Sequence, residues 1–216
     1  MQGSGASATP GVAALATGRV EPTADQARAR PYNRRMNSIR PYRNLLPSLG
    51  ARVYIDQDAS VIGDVALGDD VSVWPQTVIR GDVNHVRIGA RTSVQDGTVI
   101  HVSHDGPHAK LGGFATVIGT DVTIGHKAIL HACRIEDAVL VGMGAIVLDG
   151  ALVKKHAFIG AGALVPPGRT VGEGELWVGN PARKLRMLSD AEIEGLHYSA
   201  QHYVRLKDEY LAAGAP

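Results

Sequence analysis

Aliphatic residues recur along this chain at every sixth position. Val61, Leu67, Val73 and Ile79 form one such run, Ile88, Val94 and Ile100 a second, and Ile118, Ile124 and Leu130 a third. After one five-residue step the phase resumes at Ile135 and continues through Val141, Val147, Val153, Ile159, Val165, Val171 and Trp177. Glycine often follows the aliphatic position, as in "IGARTS", "IGTDVT", "VGMGAI" and "IGAGAL". Such a period matches neither the ~3.6 of an amphipathic helix nor the ~2 of a half-buried strand. Short β segments separated by turns do match it, and a short fixed repeat marks a solenoid. Three hexads, 18 residues, then close one triangular coil with the aliphatic side chains pointing inward.

The repeat fails over residues 103–114, "SHDGPHAKLGGF", where its positions fall on Gly106 and Gly112, which bury nothing. A protruding loop is expected there. Beyond the last repeat, "GNPARKLRMLSDAEIEGLHYSAQHYVRLKDEYL" changes period. Ser189 and Glu192 have capping-box spacing, and Ile193, Leu196, Ala200, Tyr203, Leu206 and Tyr210 follow at three- and four-residue steps. One amphipathic helix is predicted over about 190–212, able to pack along the solenoid. Residues 1–38 are rich in Ala, Gly, Arg and Pro without apolar period, so a disordered extension is expected, with Met36 a candidate start of the functional unit. The predicted organisation is an extension over 1–38, a solenoid over 39–187 and a C-terminal helical segment over 188–213.

Composition narrows the function classes. At 216 residues the chain suits one domain plus a tail, and 44% apolar residues supply a sizeable core. Aromatics are only 5% against 26 glycines, so that core is aliphatic with frequent tight turns. A net charge of +1 without a long block of one sign argues against nucleic acid or an anionic membrane as partner. Cys133 is the single cysteine, so no intrachain disulfide forms, and a reducing, cytoplasmic compartment is expected. No run approaches the ~18 apolar residues of a membrane helix, and "GVAALA" lacks the charged leader of a secretory signal.

The histidines carry the candidate chemistry. His101 follows Ile100 and His131 follows Leu130, so both sit one past an inward residue, 30 residues apart. Less a loop of ~12 residues, that separation is one coil, and the two rings should stack on one face. Neighbouring parallel strands lie ~4.8 Å apart, close enough for two imidazoles to share an ion. His126, two past Ile124, falls on the preceding face, where a neighbouring copy could bring it to the same ion. Against this stands the plainer reading of outward histidines as solvated or interface residues. A rival trio of His101, His104 and His108 would use the loop, while His85, His156, His197 and His202 show no partner pattern. Neutral imidazole suits Zn2+ and also Fe2+, Co2+ or Ni2+.

Two resemblances extend this reading. The hexad pattern resembles the left-handed parallel β-helix of hexapeptide-repeat proteins; the handedness comes from the resemblance alone. From about residue 40 to 212 the chain also resembles gamma-class carbonic anhydrases, particularly their bacterial carbonic-anhydrase-like branch. The resembling segments are "IRPYRNLLPSLG", "VIRGDVNHVRIGARTSVQDGTVIHVSH", "TIGHKAILHACRI", "VGMGAIVLDGA", "IGAGALVPPG" and "LWVGNPARKLR". The resemblance implies a homotrimer that hydrates CO2 to bicarbonate by a metal-bound hydroxide, with His101 and His131 from one subunit and His126 from the next as ligands. It further implies intersubunit ion pairing by Arg80, Asp82 and Asp96, a hydrogen bond from Gln95 near the metal-bound water, and a helix tyrosine, Tyr198, near the site. The pattern departs where active members carry acidic proton-relay residues: those positions hold Val83 and His104. His104, three past a ligand in a Gly/Pro-bounded loop, is then the candidate proton shuttle. The alternatives are a metal-dependent thioesterase or other hydrolase on the same site, a non-catalytic trimeric scaffold, and a hexapeptide acyltransferase, whose single catalytic histidine the 101/126/131 constellation disfavours.

Overall fold

The computed structural model describes residues 38–107 and 112–214. The expected disordered extension, apart from Ser38, and His108 of the rival trio lie outside the described residues.

The six-residue period folds as predicted, into a parallel β-solenoid with three faces and one C-terminal helix. Most strands are only two or three residues long, because each hexad reserves its remaining residues for a corner. On the first face the inward residues align as Ile79, Ile100, Leu130, Val147 and Val165. The second aligns Ile88, Ile118, Ile135, Val153 and Val171. The third aligns Ile55, Val73, Val94, Ile124, Val141, Ile159 and Trp177. Every aliphatic repeat residue from Val61 to Leu130 and every one from Ile135 to Val171, with Trp177, is buried in one continuous core. Two strands, Ser60–Leu67 and Val78–Ile88, run on across the corner between the first two faces.

The corners explain the glycines. From residue 132 to 174 a left-handed backbone recurs at each sixth position: Ala132, Ala138, Gly144, Gly150, His156, Gly162, Gly168 and Gly174. Glycine reaches that conformation without steric cost, whereas a Cβ there costs about 1–2 kcal/mol. The five-residue step is the corner after His131, where Ala132 at φ 51° turns the chain one residue early. One coil below, the same corner emits the loop. Its neck is closed by a bridge between Ser103 and Phe114, with the Phe114 amide also donating to Ser103 Oγ at 2.9 Å.

The helix α1, Asp190–Ala212, begins at the predicted capping box: the Glu192 amide donates to Ser189 Oγ and the Ser189 amide to Glu192 Oε2. It packs on the third face. Trp74 lies beside Tyr54, Tyr203 and Tyr210 at ring separations of 5.3, 6.1 and 5.2 Å, and Thr123 and Ser199 share a 3.0 Å hydroxyl hydrogen bond. Among the described residues no helix is long and apolar enough to cross a membrane.

Candidate functional site

His101 and His131 end the adjacent strands Val99–His101 and Ile129–His131 and are direct register partners. Inward Ile100 and Leu130 anchor both strands in the core, so the next residue on each turns outward. The ring centroids lie 5.2 Å apart, and His101 Nδ1 is 3.2 Å from His131 Nε2. The other nitrogen of each ring meets a carboxylate. His101 Nε2 is 3.0 Å from Asp82 Oδ1, and His131 Nδ1 is 2.5 Å from Asp149 Oδ1.

Asp82 is held in turn by an ion pair with Arg80 and by the Val83 amide. Burial alone would raise its carboxyl, but the hydrogen bonds from His101, Arg80 and Val83 hold it below the ordinary range, and it stays charged. Burial, helped by the Arg80 charge, pushes His101 below its ordinary value. The ring is therefore kept neutral, the form in which imidazole ligates a metal.

His126 occupies the corner between the third and first faces, after the strand Thr123–Ile124. Its Nδ1 lies 2.8 Å from Asp96 Oδ2, and nearly half of its side chain is exposed. Among the described residues no group of three His, Cys, Asp or Glu side chains converges within one chain. The structure thus brings His101 and His131 together and holds His126 apart from them.

The paired rings fit a metal. Two nitrogens on one tetrahedral zinc, at Zn–N of about 2.0–2.1 Å, lie about 3.3–3.4 Å apart, and the two inner nitrogens stand at 3.2 Å. Carboxylates behind both rings are the usual support of metal-bound histidine.

The remaining predicted residues spread around this pair. Gln95 is buried on the third face and lines a cavity of about 350 Å³ together with His126, Met143, Phe158, Ser199 and Tyr203. Tyr198 does not line that cavity. It is 64% exposed, stacked on His202 with Arg205 over its ring. His104 is exposed in the loop, and Val83 is exposed beside Asp82. Cys133 is buried in the core and its thiol is pushed up to about 12 by burial.

Sequence reasoning missed Asp149, Ser199 and Tyr203 as neighbours of these groups. For Asp149 the period hid the signal: the five-residue step shortens that coil to 17 residues, so the position aligned with His131 is Leu148 and Asp149 falls one past it. For Ser199 and Tyr203 the helical period marked a packing face without saying what it covers.

No established protein-family profile matches the chain. Protein YrdA of Escherichia coli is 54% identical over 176 residues, covering 82% of this chain and 95% of that one. A carbonic anhydrase of Geobacillus kaustophilus is 38% identical over 175 residues, 81% of this chain and 91% of that one. A mitochondrial gamma carbonic anhydrase 2 of Arabidopsis thaliana is 44% identical over 160 residues; the match spans 74% of this chain and 57% of that protein. Among solved structures, a hexapeptide transferase family protein from Anaplasma phagocytophilum superimposes with a TM-score of 0.74 at 41% identity, covering 80% of this chain and 97% of that one.

Proposed function

The chain belongs to the gamma-class carbonic anhydrase-like family of hexapeptide-repeat proteins, and from that premise we propose that it hydrates CO2 reversibly to bicarbonate at a metal centre shared between subunits of a homotrimer. The observation that carries this reading is the His101–His131 pair, register-matched, 3.2 Å apart at the inner nitrogens and backed by Asp82 and Asp149. His126 of the partner subunit completes a three-histidine set, since within one chain Asp96 holds that ring on a separate corner. When bound, the ion supplies Lewis-acid activation of water at neutral pH; zinc suits the donors, as do Fe2+, Co2+ and Ni2+.

The chain's own residues have separate tasks. Arg80 and Asp82 orient His101, and Asp96 orients His126. The Gln95 carboxamide makes no side-chain hydrogen bond among the described residues and is available to orient the attacking water. His104, exposed and three residues past His101, carries the released proton to solvent, since imidazole exchanges protons near neutral pH. Tyr198, exposed on α1, is open to a neighbouring subunit, and the family resemblance gives it a place near the site.

The test is metal content and its complementation. Wild type should carry one metal per subunit and hydrate CO2, and His101→Ala and His126→Ala should each lose most of both. Reassembling the two variants into mixed trimers should restore part of the metal and activity, because some interfaces then hold three intact ligands. Full metal occupancy in His126→Ala, or activity in a verified monomer, defeats the shared site.

A second reading rests on the cavity beside His126. At about 350 Å³, with Leu140, Met143 and Phe158 in its wall, it exceeds what a three-atom substrate fills and suits an apolar acyl chain. Hydrolysis of an ester or thioester is the corresponding reaction. Metal-loaded protein that cleaves acyl thioesters and leaves CO2 untouched would favour it.

A further inference from the structure

Four side chains from four successive coil segments form a continuous line: Asp82, His101, His131 and Asp149. Their three contacts measure 3.0, 3.2 and 2.5 Å. Two of the four carry roles from the family resemblance as ligands and one as an ion-pairing residue, whereas Asp149 carries none.

Counting protons along this line gives Asp149 a task. An ionised carboxylate only accepts hydrogen bonds, and a neutral imidazole carries one N–H and one lone pair. Two neutral rings therefore bring two protons to three contacts. If each ring donates to its carboxylate, His101 from Nε2 and His131 from Nδ1, both protons are used. The inner nitrogens, His101 Nδ1 and His131 Nε2, then face each other as bare lone pairs at 3.2 Å. That arrangement repels itself and is relieved by a cation between the two rings.

Remove Asp149 and the balance changes. His131 returns to the Nε2–H form that free imidazole prefers. Its proton then donates to His101 Nδ1 and closes the gap a metal requires.

We infer that Asp149 is a positioning residue for the metal centre: by accepting the Nδ1–H of His131 it fixes the ring's tautomer and turns the Nε2 lone pair toward His101. This rests on the metal-centre reading above, and it adds a residue to it. The geometry leaves Asp149 free for the task. Its side chain sits half-buried at the corner before Gly150, and among the described residues its side-chain hydrogen-bond partner is His131; the turn itself is held by backbone, through the Gly168 amide on Asp149 O at 2.8 Å.

The experiment uses the full chain and two measurements. In metal-free protein, long-range 15N–1H correlation of the His131 ring reports which nitrogen is protonated. Competition with a zinc chelator reports zinc affinity. Wild type should show His131 protonated at Nδ1. Asp149→Ala should shift it to Nε2–H and lower zinc affinity about 10–100-fold, with the melting temperature of the metal-free protein little changed. Asp149→Glu, which restores an acceptor, should recover most of both. Wild-type His131 protonated at Nε2, or an Asp149→Ala variant that binds zinc as wild type does, overturns the assignment. Should wild type bind no zinc, the metal-centre reading fails, while the tautomer measurement, made without metal, still decides what Asp149 does.

Discussion

Cys133 shows how far one residue's character depends on its corner. It lies two past His131 in sequence. The shortened turn at Ala132 points it into the core, 2% exposed, and burial, reinforced by the Asp149 charge, pushes its thiol up to about 12. Only the thiolate is nucleophilic or metal-binding, so at pH 8 the buried thiol stays protonated and unreactive. Native protein incubated with iodoacetamide at pH 8 should therefore remain unlabelled by mass spectrometry, and denatured protein should take up one label. Labelling of the native chain at the rate of a free cysteine would show that the corner opens. The same burial explains why this chain's one thiol is not counted among the candidate ligands.

At the scale of elements, the docking of α1 turns on a charge that falls on its packing face, four residues past Tyr203 and three before Tyr210. Lys207 is fully buried, and its Nζ pairs with Asp70 Oδ1 at 2.9 Å and with Asp208. Asp70 is itself held below the usual carboxylate range by the Arg52 hydrogen bond and by Lys207, against the opposing effect of burial. Removing one partner of a buried ion pair costs about 3–5 kcal/mol, because the other charge is left without compensation. Asp70→Ala should lose about 3 kcal/mol at pH 7, the lower end, since Asp208 still meets Lys207. The sign with pH follows from the depressed carboxyl. Its contribution is complete above the unfolded value near pH ~3.9 and is lost as pH falls through the lower folded value. Urea denaturation of wild type and variant should show a gap that holds from pH 7 to about pH 5 and narrows below about pH 4. A gap independent of pH would mean that packing rather than the ion pair holds the helix.

At the scale of the whole molecule, the first face carries an outward stripe that a solvated solenoid has no reason to keep. Val78, Val99, Ile129, Ile146 and Leu164 are register partners along it, with Val99 40% and Ile129 39% exposed. His101 and His131 stand beside this stripe, two residues on from Val99 and Ile129. Contiguous apolar surface of this kind marks association sites, and the proposed trimer would bury it together with the metal. Ile129→Asp should leave circular dichroism unchanged, because the side chain points away from the core. It should also reduce the mass measured by light scattering from three chains to one and remove the bound metal. A trimer that persists in Ile129→Asp with metal retained would show that the subunits meet on another face.

The residue order by itself determined the solenoid. A six-residue aliphatic period is a one-dimensional property, and each coil stacks only on its neighbours, so local spacing fixes register over the whole length. That is why the inward residues from Val61 to Trp177 could be named, and why His101 and His131 stand side by side once a loop is subtracted from their spacing. The capping box and the extent of α1 were legible for the same reason, since helix starts are written in a few adjacent residues. Only the tertiary structure decided which face α1 covers, that Lys207 turns inward to Asp70, that Tyr203 rather than Tyr198 lines the cavity with Gln95, and that Asp149 stands behind His131. These contacts join residues whose side chains have no periodic relation to one another. They are selected by the shape and charge of surfaces that exist only after the coils have stacked.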